Sequence, residues 1–363
     1  MIFLFIMYIG GFLLAILKNK KVNKLVFINF IVTGLFFFGV IIIKFLLINF
    51  RGDINTLLFL DENTYVNGQY DLGFFGVYAR SIVGIFGVVM VKGINIFVYI
   101  FSTTALFNRV KYSLIGGKEF IKFSMLILIS ALFSYWSFFV LKESLTIFAI
   151  TLIIVGIEDK KKISTILGFS ILFITRLNYF CLFIYALFLY KLNKKNKKFF
   201  YLVITISILG LVIFLSSSYS YSFKLGIIAR RWGDSGMVYT GNNAVIANFN
   251  FVRFIFSAEY LKAIEGNILR GFIGGESSMV NNIFSLILTI SNLVAIITTT
   301  ELIKEKSIFR LFYILSILVL ILTYCDYRYL NTVLLPFSLY SFANQINIRR
   351  VILKNENKYN YNM

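Results

Sequence analysis

The stretch KLNKKNKKFFYLVITISILGLVIFLSS, residues 191–217, contains both features that decide the fold of this chain. Five lysines fall within its first eight residues, and no charged residue occurs from Phe199 to Ser217. A helix rises about 1.5 Å per residue, so about 20 apolar residues cross the ~30 Å hydrocarbon layer of a bilayer. The stretch therefore predicts a transmembrane helix with a positively charged segment at one end.

Similar apolar runs recur along the whole chain. Of its 363 residues, 59% are hydrophobic and 14% are charged, with a mean hydropathy of +0.84. A water-soluble core could not bury that much apolar surface, so the sequence predicts an all-α, polytopic membrane bundle that forms a single domain over residues 1–363. The eleven predicted helices are 2–17, 25–49, 93–108, 121–140, 144–157, 163–175, 178–190, 199–217, 281–300, 309–324 and 329–344.

Lysine and arginine collect in alternate connections between these helices. Positively charged connections stay on the cytoplasmic side, so the pattern predicts an outside N-terminus and an inside C-terminus. The clusters are Lys18, Lys20, Lys21 and Lys24; Arg109, Lys111, Lys118 and Lys122; Lys160, Lys161 and Lys162; Lys191, Lys194, Lys195, Lys197 and Lys198; Lys304, Lys306 and Arg310; and Arg349, Arg350, Lys354 and Lys358.

Two long connections are predicted to face outward, residues 50–92 and 218–280. Residues 73–91 form an apolar segment followed by Lys92, which favours a helix in the outer interface with Lys92 at headgroup level over a further span. Within 218–280, residues 245–272 have the spacing of amphipathic helices on the membrane surface, either as a lid over a site or as a structural cap.

Composition excludes several kinds of chemistry. The chain has no histidine, which excludes imidazole catalysis and most transition-metal sites. Its two cysteines, Cys181 and Cys325, lie in or beside apolar runs and do not predict a disulfide framework. The net charge of +20 comes from clusters between apolar runs, a pattern that indicates membrane orientation and not binding of nucleic acid.

Charged residues also occur at the predicted outer ends of the helices, where carboxylates and cations can converge on one site. This mixture suits a sugar linked to a membrane lipid through phosphate. Arginine and lysine would stabilise the phosphate as a leaving group, and a carboxylate would deprotonate the acceptor hydroxyl or hold Mg²⁺ or Mn²⁺. The charged residues at these ends are Asp53, Asp61, Glu62, Asp71, Arg80, Lys142, Glu143, Arg176, Asp326 and Arg328.

Four stretches resemble the polyprenyl-phosphate-dependent glycosyltransferases of the GT-C superfamily, including the EpsG-like and Wzy-type polymerases of O-antigen, capsule and exopolysaccharide. DENTY at residues 61–65 resembles the acidic signature of their first outer loop, and LFSYWSFFVLKESLTIF at 132–148 is similar to their aromatic turn before Lys-Glu or Lys-Asp. Arg176 matches a basic residue one helix later. YRYLNTVLLPFSL at 327–339 resembles an RY-x-x-x-x-x-P pattern at the last helix.

The resemblance implies a bacterial cytoplasmic-membrane enzyme of polysaccharide biosynthesis whose site faces outward. Its partners would be a polyprenyl-phosphate- or diphosphate-linked sugar, a growing glycan acceptor, membrane lipid and other assembly proteins. Asp61, with Glu62 or Asp53, is the expected catalytic carboxylate. Glu143 and Asp326 would orient the phosphate-binding cations by pairing. The expected substrate-binding residues are Lys142, Glu143, Arg176, Asp326, Arg328, Tyr65, Arg80, Arg230 and Arg231.

Two other classes of function stay open on the sequence alone. A lipid-linked oligosaccharide flippase would place charge in a central cavity and often contains internal repeats, and the sequence shows neither. A non-catalytic membrane subunit of an envelope-assembly complex is compatible with every feature above.

Overall fold

The computed structural model describes residues 2–19, 24–51, 73–110, 117–138, 142–216, 293–300, 302, 307–323 and 331–346. All regular structure in these ranges is helical, and none of them contains a β-strand. The all-helical fold class predicted from the sequence is therefore confirmed for the described residues. Each of the eleven predicted segments coincides at least in part with a helix. The number of membrane crossings and the orientation remain predictions.

The helices are numbered here in chain order, with one 3₁₀ helix between α5 and α6. They are α1 (Ile2–Asn19), α2 (Lys24–Arg51), α3 (Gly73–Phe86), α4 (Val88–Phe107), α5 (Gly117–Ser134), the 3₁₀ helix (Tyr135–Phe138), α6 (Glu143–Glu158), α7 (Lys162–Thr175), α8 (Leu177–Lys195), α9 (Lys197–Ser216), α10 (293–300), α11 (Ile308–Thr323) and α12 (331–346). Three helical segments are long and apolar enough to cross a membrane, namely Val88–Phe107, Glu119–Phe138 and Lys197–Phe214.

The segment around Lys92 differs from the sequence prediction. A helix does form after residue 72, but it ends at Phe86, and α4 already begins at Val88. Gly87 separates the two helices with a φ of 82°, a left-handed conformation that glycine adopts without the steric cost of a Cβ atom. Lys92 consequently lies in the second turn of α4 and not before the helix.

The chain divides into two compact units. The first comprises Met1–Phe180, Ile290–Glu305 and Asn331–Met363, and the second comprises Cys181–Thr289 and Lys306–Leu330. In the second unit, the rings of Phe183 and Phe312 lie 4.7 Å apart, and the hydroxyl groups of Tyr185 and Ser207 share a 2.7 Å hydrogen bond. Apolar side chains of α9 are largely exposed, as expected for a helix that faces lipid.

Side-chain contacts fix the directions of the helices in the first unit. Helices α1, α4 and α6 run one way, and α2, α5 and α7 run the other way. The contacts that establish this are Tyr8–Phe30, Phe12–Phe27 and Phe5–Phe38 for α1 and α2; the close approach of Gly93 to Phe3 and of Gly11 to Phe97 for α1 and α4; Tyr99–Ser130 and Phe107–Phe123 for α4 and α5; Phe101–Phe148 and the cluster of Ala105 with Leu152 for α4 and α6; and Ser164–Leu152 and Arg176–Glu143 for α6 and α7.

These directions give the first unit two distinct ends. The Glu143 end contains the first residues of α4 and α6, the 3₁₀ helix and Arg176, which follows α7. The Asp159 end contains Arg109, which follows α4, and the connection from α6 to α7. The sequence placed Lys142, Glu143 and Arg176 together on one side and Arg109 and Lys160–Lys162 on the other, and the helix directions bring each group to one end of the unit.

Candidate functional site

A buried ion pair lies at the Glu143 end. Nη2 of Arg176 donates to Oε1 of Glu143 across 3.3 Å. The Glu143 side chain is 1% exposed and that of Arg176 is 13% exposed. Removing both charges from water costs several kcal/mol per ion, and only a close opposite charge with further hydrogen bonds offsets that cost. The two charges are therefore held in place by each other.

The local backbone explains why these two side chains meet. Lys142 is the N-cap of α6, so Glu143 is in the first helical turn, where the positive end of the helix dipole stabilises a carboxylate. Arg176 is the C-cap of α7 and leaves the helix with φ −148° and ψ 76°. It is the single residue between α7 and α8, and a cation at this position is stabilised by the negative end of α7.

Lys142, the neighbouring cation, is half-buried. Its carbonyl oxygen accepts hydrogen bonds from both the backbone nitrogen of Thr146, at 2.9 Å, and the Thr146 hydroxyl, at 2.8 Å. These bonds fix the first turn of α6 and with it the position from which the Lys142 side chain extends. Two cations, Lys142 and Arg176, and one carboxylate, Glu143, thus lie at the Glu143 end.

The 3₁₀ helix that precedes Lys142 is aromatic and buried. The rings of Tyr135 and Trp136 contact edge to face with centroids 5.3 Å apart, and both side chains lie inside the first unit. Nζ of Lys92 lies 4.4 Å from the ring centroid of Phe138, within the range of a cation–π interaction. Lys92 is therefore a further cation at the Glu143 end.

Several residues predicted for the site fall outside the described residues. They are Asp53, Asp61, Glu62, Tyr65, Arg230, Arg231, Asp326 and Arg328. Arg80, which the structure does describe, is half-buried in α3, a helix that packs against α4. Among the described residues, no three cysteine, aspartate or glutamate side chains lie close enough together to hold a metal ion. The Mg²⁺ or Mn²⁺ site stays a prediction that depends on the undescribed carboxylates.

The Asp159 end has a more exposed ion-pair network. Asp159 accepts from Arg109 at 2.6 Å and from Lys161 at 3.3 Å, and the three side chains are between 26% and 51% exposed. Partial burial raises the pKa of Asp159, but the hydrogen bonds and charges of Arg109 and Lys161 outweigh it, so the pKa lies below its ordinary value of 3.8. This network joins two connections that the sequence places in the cytoplasm, and its solvation is typical of a structural surface pair.

Sequence reasoning did not assign a site role to Lys92 or to Asn331 of α12. Lys92 has a visible signal, a charge four residues inside an apolar helix, which is unusual enough in membrane proteins to suggest function. Asn331 has no such signal in the sequence, because the sequence around a single amide does not show whether that amide will find a hydrogen-bond partner.

Over its described residues the protein is all-helical, and three of these helical segments are long and apolar enough to cross a membrane. No family model matches the chain, and comparisons with curated proteins and with solved structures find no significant match. The resemblance to polyprenyl-phosphate-dependent glycosyltransferases therefore rests on the four sequence stretches alone.

Proposed function

We propose that this chain is a multi-pass glycosyltransferase or polysaccharide polymerase of the bacterial cytoplasmic membrane. It acts at the outward face on sugars linked to polyprenyl phosphate or diphosphate. The observation that carries the proposal is the buried Glu143–Arg176 pair beside Lys142, at one end of an apolar helical unit.

A buried ion pair is weak evidence for a stabilising role, because well-packed apolar side chains of similar volume stabilise a helical core at least as well. The chemistry of the Glu143–Arg176 pair is better suited to binding a ligand. The guanidinium group presents five N–H donors in a plane that matches phosphate oxygens, and pairing with Glu143 fixes that plane. Lys142 adds a second positive charge from the adjacent turn. The arrangement supports binding of a phosphate or diphosphate group at the membrane boundary.

The proposed reaction follows from these groups. A hydroxyl of the acceptor glycan attacks the anomeric carbon of the donor sugar, and the bond from that carbon to the phosphate oxygen breaks. Asp61, assisted by Glu62 or Asp53, takes the hydroxyl proton. Arg176, Lys142 and Arg328 stabilise the negative charge on the departing polyprenyl phosphate or diphosphate, and Glu143 and Asp326 orient these cations. Arg80, Tyr65, Arg230 and Arg231 complete the binding site for the donor.

The test is the product pattern of a deletion strain complemented with wild type, Asp61→Asn, Arg176→Ala or Arg109→Ala. Arg109 is the matched control, since it too pairs with a carboxylate but lies at the Asp159 end. Surface polysaccharide and lipid-linked oligosaccharide are compared on gels at equal protein levels. We expect Asp61→Asn and Arg176→Ala to remove long chains and Arg109→Ala to leave them unchanged.

The intermediates that accumulate distinguish the classes of function. Single repeat units on the outer leaflet identify a polymerase, and incomplete repeats identify a transferase of one sugar. Complete units retained on the cytoplasmic leaflet would refute the proposal in favour of a flippase. Unchanged polysaccharide in Asp61→Asn and Arg176→Ala, with normal expression of both, would refute the proposed catalytic and phosphate-binding roles.

A further inference from the structure

Asn331, the first described residue of α12, has a buried side-chain amide. Its side chain is 0% exposed, and within the part of the chain that the structure describes neither Oδ1 nor Nδ2 has a partner. Most buried amides in proteins are paired, because an unpaired one loses its bonds to water and gains nothing in return. Asn29 shows the ordinary case in the same unit, since it is also buried and its Oδ1 accepts from the Thr33 hydroxyl at 3.3 Å.

Among the described residues of the first unit, buried hydroxyls without partners also occur at Thr104, Ser130 and Thr151. A hydroxyl in a helix can rotate to donate to a carbonyl of the preceding turn, so its cost is small. An asparagine amide has two donors and an acceptor in one rigid plane and cannot satisfy them in this way. Asn331 is therefore the more informative case.

The course of α12 places Asn331 towards the Glu143 end. The Tyr340 hydroxyl donates to Oε1 of Glu158, the last residue of α6, at 2.8 Å, and the ring of Phe342 stacks on that of Phe123. These contacts fix the later part of α12 near the Asp159 end. Residues 331–343 are all buried, so the earlier part runs into the unit and does not project from it.

The depth of Asn331 follows from helix geometry. It precedes Tyr340 by nine residues, which corresponds to about 14 Å of rise, whereas Glu143 and Glu158 are separated by about 22 Å along α6. Asn331 thus lies more than halfway from the Asp159 end to the Glu143–Arg176 pair. This position is nearer to the end that holds the cations proposed to bind phosphate.

We infer that Asn331 binds the sugar of the lipid-linked substrate through hydrogen bonds to its hydroxyl groups; this inference rests on the proposed function. Sugar hydroxyls both donate and accept, so a pair of them satisfies the Oδ1 acceptor and the Nδ2 donors together. A phosphate group only accepts and would leave Oδ1 unpaired. Because the side chain is enclosed, binding requires the surrounding helices to separate as the sugar enters from the Glu143 end.

The test compares stability and activity in Asn331→Leu, a substitution of similar shape without polar atoms, with Asn29→Leu as the matched control. Each variant is purified in detergent for its Tm and also expressed in the complemented strain for polysaccharide yield. We expect Asn331→Leu to keep or raise the Tm, because an unpaired amide is removed, and to lower polymer yield about tenfold to a hundredfold, the effect of losing one or two substrate hydrogen bonds. Asn29→Leu should lower the Tm and leave the yield per folded molecule unchanged.

Other outcomes overturn the inference. A lower Tm together with lower yield in Asn331→Leu would identify a structural residue, and an unchanged yield would exclude contact with substrate. Arg176→Ala, assayed in parallel, separates the two proposals. If Arg176→Ala removes long chains and Asn331→Leu does not, the sugar-binding inference fails alone. If neither changes the polysaccharide, the proposed function fails as well.

Discussion

Removing one partner of the Glu143–Arg176 pair should destabilise the protein at least as much as removing both. Arg176→Met removes the guanidinium group that pairs with a carboxylate only 1% exposed, and Glu143→Gln removes the carboxylate that pairs with a guanidinium group 13% exposed. The double variant buries no charge at this position. Because the cost arises from the charge left behind, the effects of the two single substitutions should not add.

The distance sets the magnitude. Two unit charges 3.3 Å apart attract by about 5 kcal/mol at an effective dielectric constant of about 20. Desolvation cancels much of this attraction in the intact pair, and loss of one partner of a buried pair typically costs about 3–5 kcal/mol. Since 3.3 Å is longer than an ideal charged hydrogen bond, we expect about 3 kcal/mol for each single substitution and a similar or smaller loss for the double variant.

The free energy of unfolding can be measured by titrating each purified variant from mild detergent into SDS and following the loss of native fluorescence. The coupling energy is the double-variant loss minus the sum of the two single losses, and we expect about −3 kcal/mol or more negative. Single losses below about 0.5 kcal/mol, or a double-variant loss near 6 kcal/mol, would refute the view that the two charges compensate each other in a buried site.

Three further predictions concern the first unit outside this pair. Asp159→Asn should lower the free energy of unfolding by less than about 1 kcal/mol at neutral pH, because the network is partly exposed. Since the pKa of Asp159 is lowered in the folded protein, wild type should retain this contribution above about pH 4 and lose it as the pH falls through the folded pKa. The stabilities of the two proteins, measured by SDS titration at each pH, should therefore converge in acid. Lys160 has a φ of 55° where the connection leaves α6, a left-handed conformation that is strained for a residue with a side chain. Lys160→Gly should therefore raise the free energy of unfolding by up to about 1 kcal/mol in the same titration. An unchanged or lower free energy of unfolding would contradict this strain. Gly11→Ala should lower the free energy of unfolding by about 1–3 kcal/mol, because the added Cβ would lie 2.5 Å from the Phe97 carbonyl oxygen. The control Gly210→Ala, which has open space around the added Cβ, should change the Tm little. Equal Tm shifts in the two variants would refute the close packing of α1 on α4.

The helical class could be predicted from local sequence alone. Runs of about 20 apolar residues have one stable solution in a bilayer, because a helix is the simplest segment that satisfies all its own backbone hydrogen bonds. The alternation of helix directions was predicted separately from the lysine clusters, because positively charged connections stay on one side of a membrane. The exact end of α3 could not be predicted from the sequence, since Gly87 between two apolar segments is compatible with either one long helix or two.

At the site, the sequence determined which residues are charged and which end of their helices they occupy. It selected Lys142, Glu143 and Arg176 because turns of one to three residues between apolar runs must lie at a membrane boundary. Their distance and burial were decided only by the packing of α6 against α7, which brings residues 33 positions apart to within 3.3 Å. Packing likewise decided that Lys92 contacts Phe138 and that Asn331 finds no partner among the described residues, because hydrogen bonds and cation–π contacts depend on neighbours distant in sequence. Local chemistry thus determined the helices and their charges, and tertiary packing alone determined which of those charges are paired, buried and available for chemistry.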